Sequence, residues 1–176
     1  EAFTEGAMPA REVMYLSGSK YQQLLKSKDE EALRPRTLLN QHYWSFNQVV
    51  GLRAASYLFG QVNRRERFLS VAGKIVRTIN EHETVPVGIT SDRRVVFMID
   101  GQLTDIETGE VSFEGVIELA DKVYRPFTLS QGVVPDLLMP SPHTAVHPSV
   151  VQGAPCISGT RIPVESIERA LRAVRT

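Results

Sequence analysis

Apolar residues recur at helical spacing through most of the first 80 positions and again at the end of the chain. Between them the pattern shifts to alternation and short apolar runs. Residues 9–28 read as two short helices. Pro9 suits a first helical turn, and Ala10 to Leu16 are reasonable helix formers with Val13 and Leu16 three apart. Ser17-Gly18-Ser19 interrupts them, because Gly18 can take a positive φ. Tyr21, Leu24 and Leu25 form the second apolar set, with Ser19 as its expected N-cap. Two short helices around a glycine turn outline a helix-turn-helix.

Residues 29–44 are turn-rich, with Pro35 flanked by Arg34 and Arg36 and with His42, Tyr43 and Trp44 before the next helix. The stretch reads as a small wing or extended arm whose arginines reach phosphates, or as an ordinary loop with solvated arginines. The next helix is the best specified. Ser45 as N-cap and Gln48 three residues on make a capping box, and Trp44 and Val49 occupy staple positions. Phe46, Val49, Val50, Tyr57 and Leu58 build its stripe, a turn is expected at Val62–Glu66, and Phe68, Leu69, Ala72, Ile75, Val76 and Ile79 continue the period. Arg64, Arg65, Arg67, Lys74 and Arg77 decorate this second stretch as a solvated face or a phosphate-contacting one.

Beyond Val85 the pattern turns to β structure. Val95–Ile99, Leu103–Ile106 and Val111–Val116, separated by Asp100-Gly101 and Thr108-Gly109, predict a three-stranded antiparallel meander. A short helix is expected over 116–122. Pro126, Pro135, Pro140, Pro142 and Pro148 predict an extended linker over 126–148 rather than a packed element. A last helix starts near Pro163, with Val164, Ile167, Leu171 and Val174 on one face and Glu165–Arg169 and Glu168–Arg172 as i,i+4 pairs. A helix of this length needs a partner surface. No internal repeat is evident.

The 176 residues, 42% of them hydrophobic, suffice for one or two small domains. No apolar run is long enough for a membrane helix. A single cysteine, Cys156, excludes an intramolecular disulfide framework and a multi-cysteine zinc site. The chain opens at Glu1 without a basic-then-apolar leader; a start upstream of Glu1 and further helices beyond Thr176 are expected. Charge changes the picture more. Residues 1–80 carry 12 Lys/Arg against 7 Asp/Glu, residues 81–146 carry 4 against 11, and residues 147–176 carry 4 against 2. Two basic segments flank an acidic one, a layout suited to an anionic partner.

Enzymatic chemistry finds little footing. His143 and His147 are bracketed by Pro142 and Pro148 without further ligands nearby. Cys156 lacks a recognisable base. Asp100, Asp105, Glu107 and Glu110 do not follow the calcium-loop spacing and read as solvated turns. No Gly-Lys-Ser/Thr phosphate loop is present.

The order REVMYLSGSKYQQLLKSK, then LRPR, then YWSFNQVVGLRAASYLF, resembles the MerR-like winged helix. That resemblance implies that Ser19 to Lys28 form the recognition helix. It places Ser19, Lys20, Tyr21, Gln22, Gln23 and Lys26 at DNA in part, and Arg34 and Arg36 on the wing. The string Gly153-x-Pro155-x-Ile157-x-Gly159-Thr160-Arg161-Ile162-Pro163-Val164 resembles the entry of a small trihelical family often described as VapB-type antitoxins. Physically, Gly159 permits an unusual turn, Pro163 pre-sets the helix start and Thr160 is placed to cap it. Arg161 serves as a phosphate contact or as a donor to turn carbonyls, the folding role being favoured.

The expectation is therefore α+β. A MerR-like winged helix-turn-helix spans 1–82, a small β-containing region 83–125, the Pro-rich linker 126–148, and the start of the trihelical domain 149–176. The resemblances imply a cytoplasmic, non-enzymatic antitoxin without cofactor, homodimeric on operator DNA and paired with a PIN-like ribonuclease toxin. The alternative is a MerR-type regulator sensing a small molecule through Val95, Phe97 and Phe113. A third class is a pure interaction module.

Overall fold

Strand β1 (Met8–Pro9), helix α1 (Ala10–Ser17), helix α2 (Tyr21–Ser27) and the hairpin β2 (Arg36–Leu38)–β3 (Gln41–Trp44) open the chain in a computed structural model that describes residues 6–60, 65–83, 86–110, 117–118 and 120–175. Strand β3 lies between β1 and β2, antiparallel to both. The α1–α2 turn needs its glycine twice over. Gly18 sits at φ +73°, and a Cβ there would stand 2.6 Å from Val134 Cγ2. Ser19 does not cap α2. Its hydroxyl lies 2.9 Å from Ser17 Oγ, its own N–H donates to Ser17 Oγ, and the side chain is buried. The capping position falls on Lys20, whose backbone N–H donates to Gln23 Oε1 at 2.7 Å.

Helix α3 (Phe46–Phe59) begins as the sequence predicts. Gln48 N–H donates to Ser45 Oγ at 3.2 Å, and Ser45 N–H to Gln48 Oε1 at 2.9 Å. Gln48 Nε2 also donates to the carbonyls of Ala32 and Arg34, which fixes the base of the hairpin to the helix start. Helix α4 (Arg65–His82) lays Phe68, Val71, Ala72, Ile75, Val76 and Ile79 into the core. Burying each such side chain stabilises the fold by about 1.5–3 kcal/mol before entropy is counted. Most of the expected turn at Val62–Glu66 lies outside the described residues.

The acidic middle forms an antiparallel sheet in the order β6-β5-β4-β7, from β4 (Pro86–Ile89), β5 (Val95–Ile99), β6 (Gln102–Asp105) and β7 (Ile117–Glu118). Two strands of the expected meander are present. The third, Val111–Val116, lies outside the described residues. Strand β4 has no counterpart in the sequence reading, because Pro86 and Gly88 look like turn residues. The expected helix at 116–122 is corrected: Ile117 and Glu118 pair with Ile89 and Gly88, and the helix, α5, runs Ala120–Tyr124.

The expected linker at 126–148 is also corrected. Strands β8 (Phe127–Leu129) and β9 (Gly132–Val134) form a hairpin, and β10 (Thr144–Ala145) pairs with β11 (Cys156–Ile157). Leu129, Val134, Leu137 and Val146 are buried, Leu137 and Val146 in the same core cluster as α1, α3 and α4. The prolines bend the chain onto that core instead of holding it away. Arg53 of α3 gathers this segment. Its fully buried guanidinium donates to the carbonyls of Leu16 (2.6 Å), Val123, Tyr124 and Arg125 (2.9 Å), and stands 5.1 Å from the Phe127 ring centre.

Helix α6 (Val164–Val174) follows the Gly159 turn, where φ is +77°. Thr160 does not cap it. Its hydroxyl donates to Ile157 O at 2.8 Å and accepts from Ile162 N–H, closing the turn, while Pro163 holds the capping position. No residue of α6 is buried.

Candidate nucleic-acid interface

Helix α2 turns Leu24 and Ser27 inward, which points Gln22 and Lys26, one helical turn apart, toward solvent. No acidic residue lies on α2. Lys20 and Tyr21 are exposed beside them. Gln23 is half-buried and spends its carbonyl oxygen on the Lys20 N–H. Of the six residues expected on the recognition helix, Lys20, Tyr21, Gln22 and Lys26 are therefore presented to solvent. Gln23 holds the helix start, and Ser19 is buried away from the surface.

The hairpin stands against the other edge of α2. Trp44 is buried at its base and its indole N–H points at Ser27 Oγ, 3.4 Å away. Leu39 and Asn40 at the tip both take positive φ, the geometry of a tight two-residue hairpin turn. Arg34 and Arg36 are exposed; Arg36 begins β2, whereas Arg34 precedes the strand and its Nε donates to Lys28 O at 3.2 Å, which turns it back onto the end of α2. Between helix and hairpin runs a groove of about 310 Å³, lined among others by Arg11, Tyr21, Leu25, Lys28, His42 and Trp44.

Sequence reasoning placed Lys28 only at the end of the expected recognition helix, with no role of its own, and gave Thr37 and Arg11 no place at this site. Thr37 and His42 face each other across the β2–β3 ladder, with Thr37 Oγ1 3.0 Å from His42 Nδ1. Only the hairpin register reveals that pairing. Lys28 Nζ lies 2.9 Å from His42 Nε2.

Two other basic positions are already engaged, while Arg64 and the side chain of Arg65 lie outside the described residues. Arg67 pairs with Glu107 at 2.7 Å and lies over the Phe59 ring, and Arg77 pairs with Glu30 at 3.3 Å. On these two the structure favours the folding role over a phosphate-facing one. Of the acidic turn residues expected to be solvated, Asp105, Glu107 and Glu110 are instead ion-paired, while Asp100 is exposed. Asp105 is buried, accepts from the N–H groups of Glu107 and Thr108, and pairs with Arg94. Among the described residues no group of three or more His, Cys, Asp or Glu side chains is arranged to hold a metal ion. Burial pushes the Cys156 thiol up, Glu12 adds to the shift and Arg161 opposes it. A raised thiol is a poor nucleophile.

The C-terminal string folds into a clasp. Ile157 N–H donates to Ile162 O and Val164 N–H to Pro155 O, both at 2.9 Å, and Gly153 packs against the Phe46 side chain, leaving no room for a Cβ. Arg161 is exposed and makes no hydrogen bond or ion pair among the described residues, so the favoured folding role is not the one it plays here. A second groove, of about 380 Å³, separates α1 from this segment and is lined by Arg11, Glu12, Tyr15, Pro140, Pro155 and Val164 among others. Arg11 of α1 forms an ion pair with Glu168 of α6 across it. Glu12 is pushed up to about 7, first by burial and then by Glu165 and Glu168, with Arg11 opposing.

The class defined by these elements is mixed α+β, with small antiparallel sheets on a helical core. Within it, residues 145–174 match the family described as "Protein of unknown function (DUF433)". The match covers the clasp and α6. No curated protein and no solved structure matches the chain. Among the described residues no helix is long and apolar enough to cross a membrane.

Proposed function

We propose that the chain is a DNA-binding regulator that reads its operator with α2 and steadies it with the β2–β3 hairpin. One observation carries the reading: a carboxylate-free helix face with Gln22 and Lys26 at its centre, standing beside an arginine-bearing hairpin. Glutamine and lysine can address base edges in a major groove, and the hairpin arginines suit phosphates. Both elements are anchored to the core through Leu24, Ser27 and Trp44, so the face is held at a fixed angle. Operator half-sites would call for a homodimer. The resemblance of the 153–164 string adds the narrower part of the proposal. The regulator is an antitoxin that represses its own operon and neutralises a PIN-like ribonuclease. The sensor alternative draws less support, since Val95 and Phe97 are packed inside the core and Phe113 lies outside the described residues.

The test is a fluorescence-polarisation titration with DNA from upstream of the protein's own gene at two salt concentrations. Wild type is expected to bind with a steep salt dependence. Lys20→Ala/Lys26→Ala is expected to weaken binding by about tenfold or more and to flatten the slope by up to about two phosphate contacts. Absence of binding by the wild-type chain at low salt overturns the regulator reading.

A further inference from the structure

The groove between α2 and the hairpin holds a charge arrangement that base reading does not use. Lys28 Nζ is 2.9 Å from His42 Nε2. An ammonium has only donors, so Nε2 must accept, and the ring proton of His42 sits on Nδ1. From there it is donated to Thr37 Oγ1, 3.0 Å away. The chain Thr37–His42–Lys28 thus fixes the ring and presents one full positive charge at the groove.

Lys28 is half-buried and makes no ion pair among the described residues. Three acidic residues follow it directly, yet Glu30 is turned to Arg77, and neither Asp29 nor Glu31 forms an ion pair with Lys28. A partly desolvated ammonium whose partner is a neutral ring remains under-compensated, and a dianionic or monoanionic oxygen group at that point recovers the loss. Arg11, on the same groove, supplies a guanidinium as a second cation while its ion pair holds it to Glu168. Tyr21, Leu25 and Trp44 give the groove an apolar flank suited to whatever carries the anion.

We infer that this groove is a phosphate-binding site in which Lys28 supplies the charge, with its ammonium held by His42 and the His42 ring in turn held by Thr37 from outside the groove. A backbone phosphate of duplex DNA and the phosphate of a free nucleotide present the same chemistry. The inference deepens the DNA reading if the source is the duplex, and stands apart from it if the source is the nucleotide.

The experiment is a nitrogen–proton NMR titration of the full chain, following the His42 ring and the Thr37 amide. Inorganic phosphate, adenosine monophosphate and the upstream duplex are added in turn, with sodium chloride at matched ionic strength as control. Phosphate is expected to shift both signals in wild type and in Lys20→Ala/Lys26→Ala. The response should weaken about tenfold in Lys28→Gln, and Thr37→Val should weaken it less, by freeing the His42 ring that holds the ammonium. An equal response to chloride overturns the site, as does an unmoved His42 at tens of millimolar phosphate. If the duplex binds while phosphate leaves His42 unmoved, the site fails and the regulator reading survives. If phosphate or the mononucleotide binds and the duplex does not, the regulator reading fails and the site stands.

Discussion

Helices α3 and α6 make an instructive pair. Eleven of the fourteen residues of α3 are buried, and none of the eleven of α6 is. On paper α6 is the cleaner amphipathic helix, with Val164, Ile167, Leu171 and Val174 in one stripe and two well-ordered i,i+4 ion-pair positions. Helix α3 even carries an arginine in its middle. The difference comes from what arrives around each helix. Helix α3 is met by α1, α4 and the segment after α5, whereas α6 meets the body chiefly through its N-terminal half. Exposure climbs along its stripe from 37% at Ile167 to 58% at Leu171 and 86% at Val174. Periodicity therefore announces a helix and its apolar face, but not whether the same chain supplies the cover.

Arg53 is where this comparison can be broken hardest. Its guanidinium satisfies four carbonyls, so removing it orphans acceptors in two segments at once, the end of α1 and residues 123–125, and opens space beside Phe127. Burial also brings its pKa down to about 10, with Asp136 opposing, which marks a charge held at a cost by its hydrogen bonds. Arg53→Ala is expected to lower unfolding free energy by about 3–5 kcal/mol, measured by urea denaturation. A loss below about 1 kcal/mol would mean that the 123–125 segment is not held through this side chain.

Some of this was readable from the residues and some was not, for definable reasons. The Ser45–Gln48 box, the Gly18 and Gly159 turns, β5 and the α6 stripe depend on neighbours within a few positions, and they stand where the sequence puts them. The Lys28–His42–Thr37 chain depends on the register of a hairpin, which a one-residue slip would erase. Arg53 is invisible to a pattern reading because a charged residue within an apolar helix is taken for a solvated one. Proline-rich 126–148 was misread because proline fixes φ equally well in a linker and in a bend that folds back on a core. On the candidate interface, residue types pointed to α2. They could not say that Ser19 would be drawn back to Ser17, or that Gln23 would be spent on the helix start.

The seam between α1 and α6 offers a pH-dependent way to sharpen the comparison. Burial raises the Glu12 pKa to about 7 from an ordinary 4.5, Glu165 and Glu168 of α6 add to the shift, and Arg11 opposes it. The folded state therefore binds the Glu12 proton more tightly than the unfolded state does. Stability from this group is full below about pH 4.5 and is lost as pH rises toward 7, by up to about 3 kcal/mol for full docking. Detachment of α6 removes the repulsion from Glu165 and Glu168, so the loss is expected first in that helix. Amide hydrogen exchange, corrected for intrinsic rates, should show α6 better protected at pH 5 than at pH 8, and Glu12→Gln should remove the difference. Equal protection in wild type at both values would place the proton elsewhere.

The smallest expected effect is the most discriminating one. Leu171 and Leu52 are the same residue type near the middle of two helices, one 58% exposed and the other fully buried. Leu52→Ala loses buried contacts and leaves a cavity, a cost of about 2–5 kcal/mol. Leu171→Ala removes a side chain that is mostly in water and installs a better helix former, so the unfolding free energy should move by less than about 0.5 kcal/mol. Thermal melts at several protein concentrations check both. A Leu171→Ala destabilisation approaching that of Leu52→Ala would show that the α6 stripe is covered in solution, and a concentration-dependent loss would identify a second copy of this chain as the cover. A silent substitution leaves α6 as the structure draws it, a formed helix whose apolar face is still open.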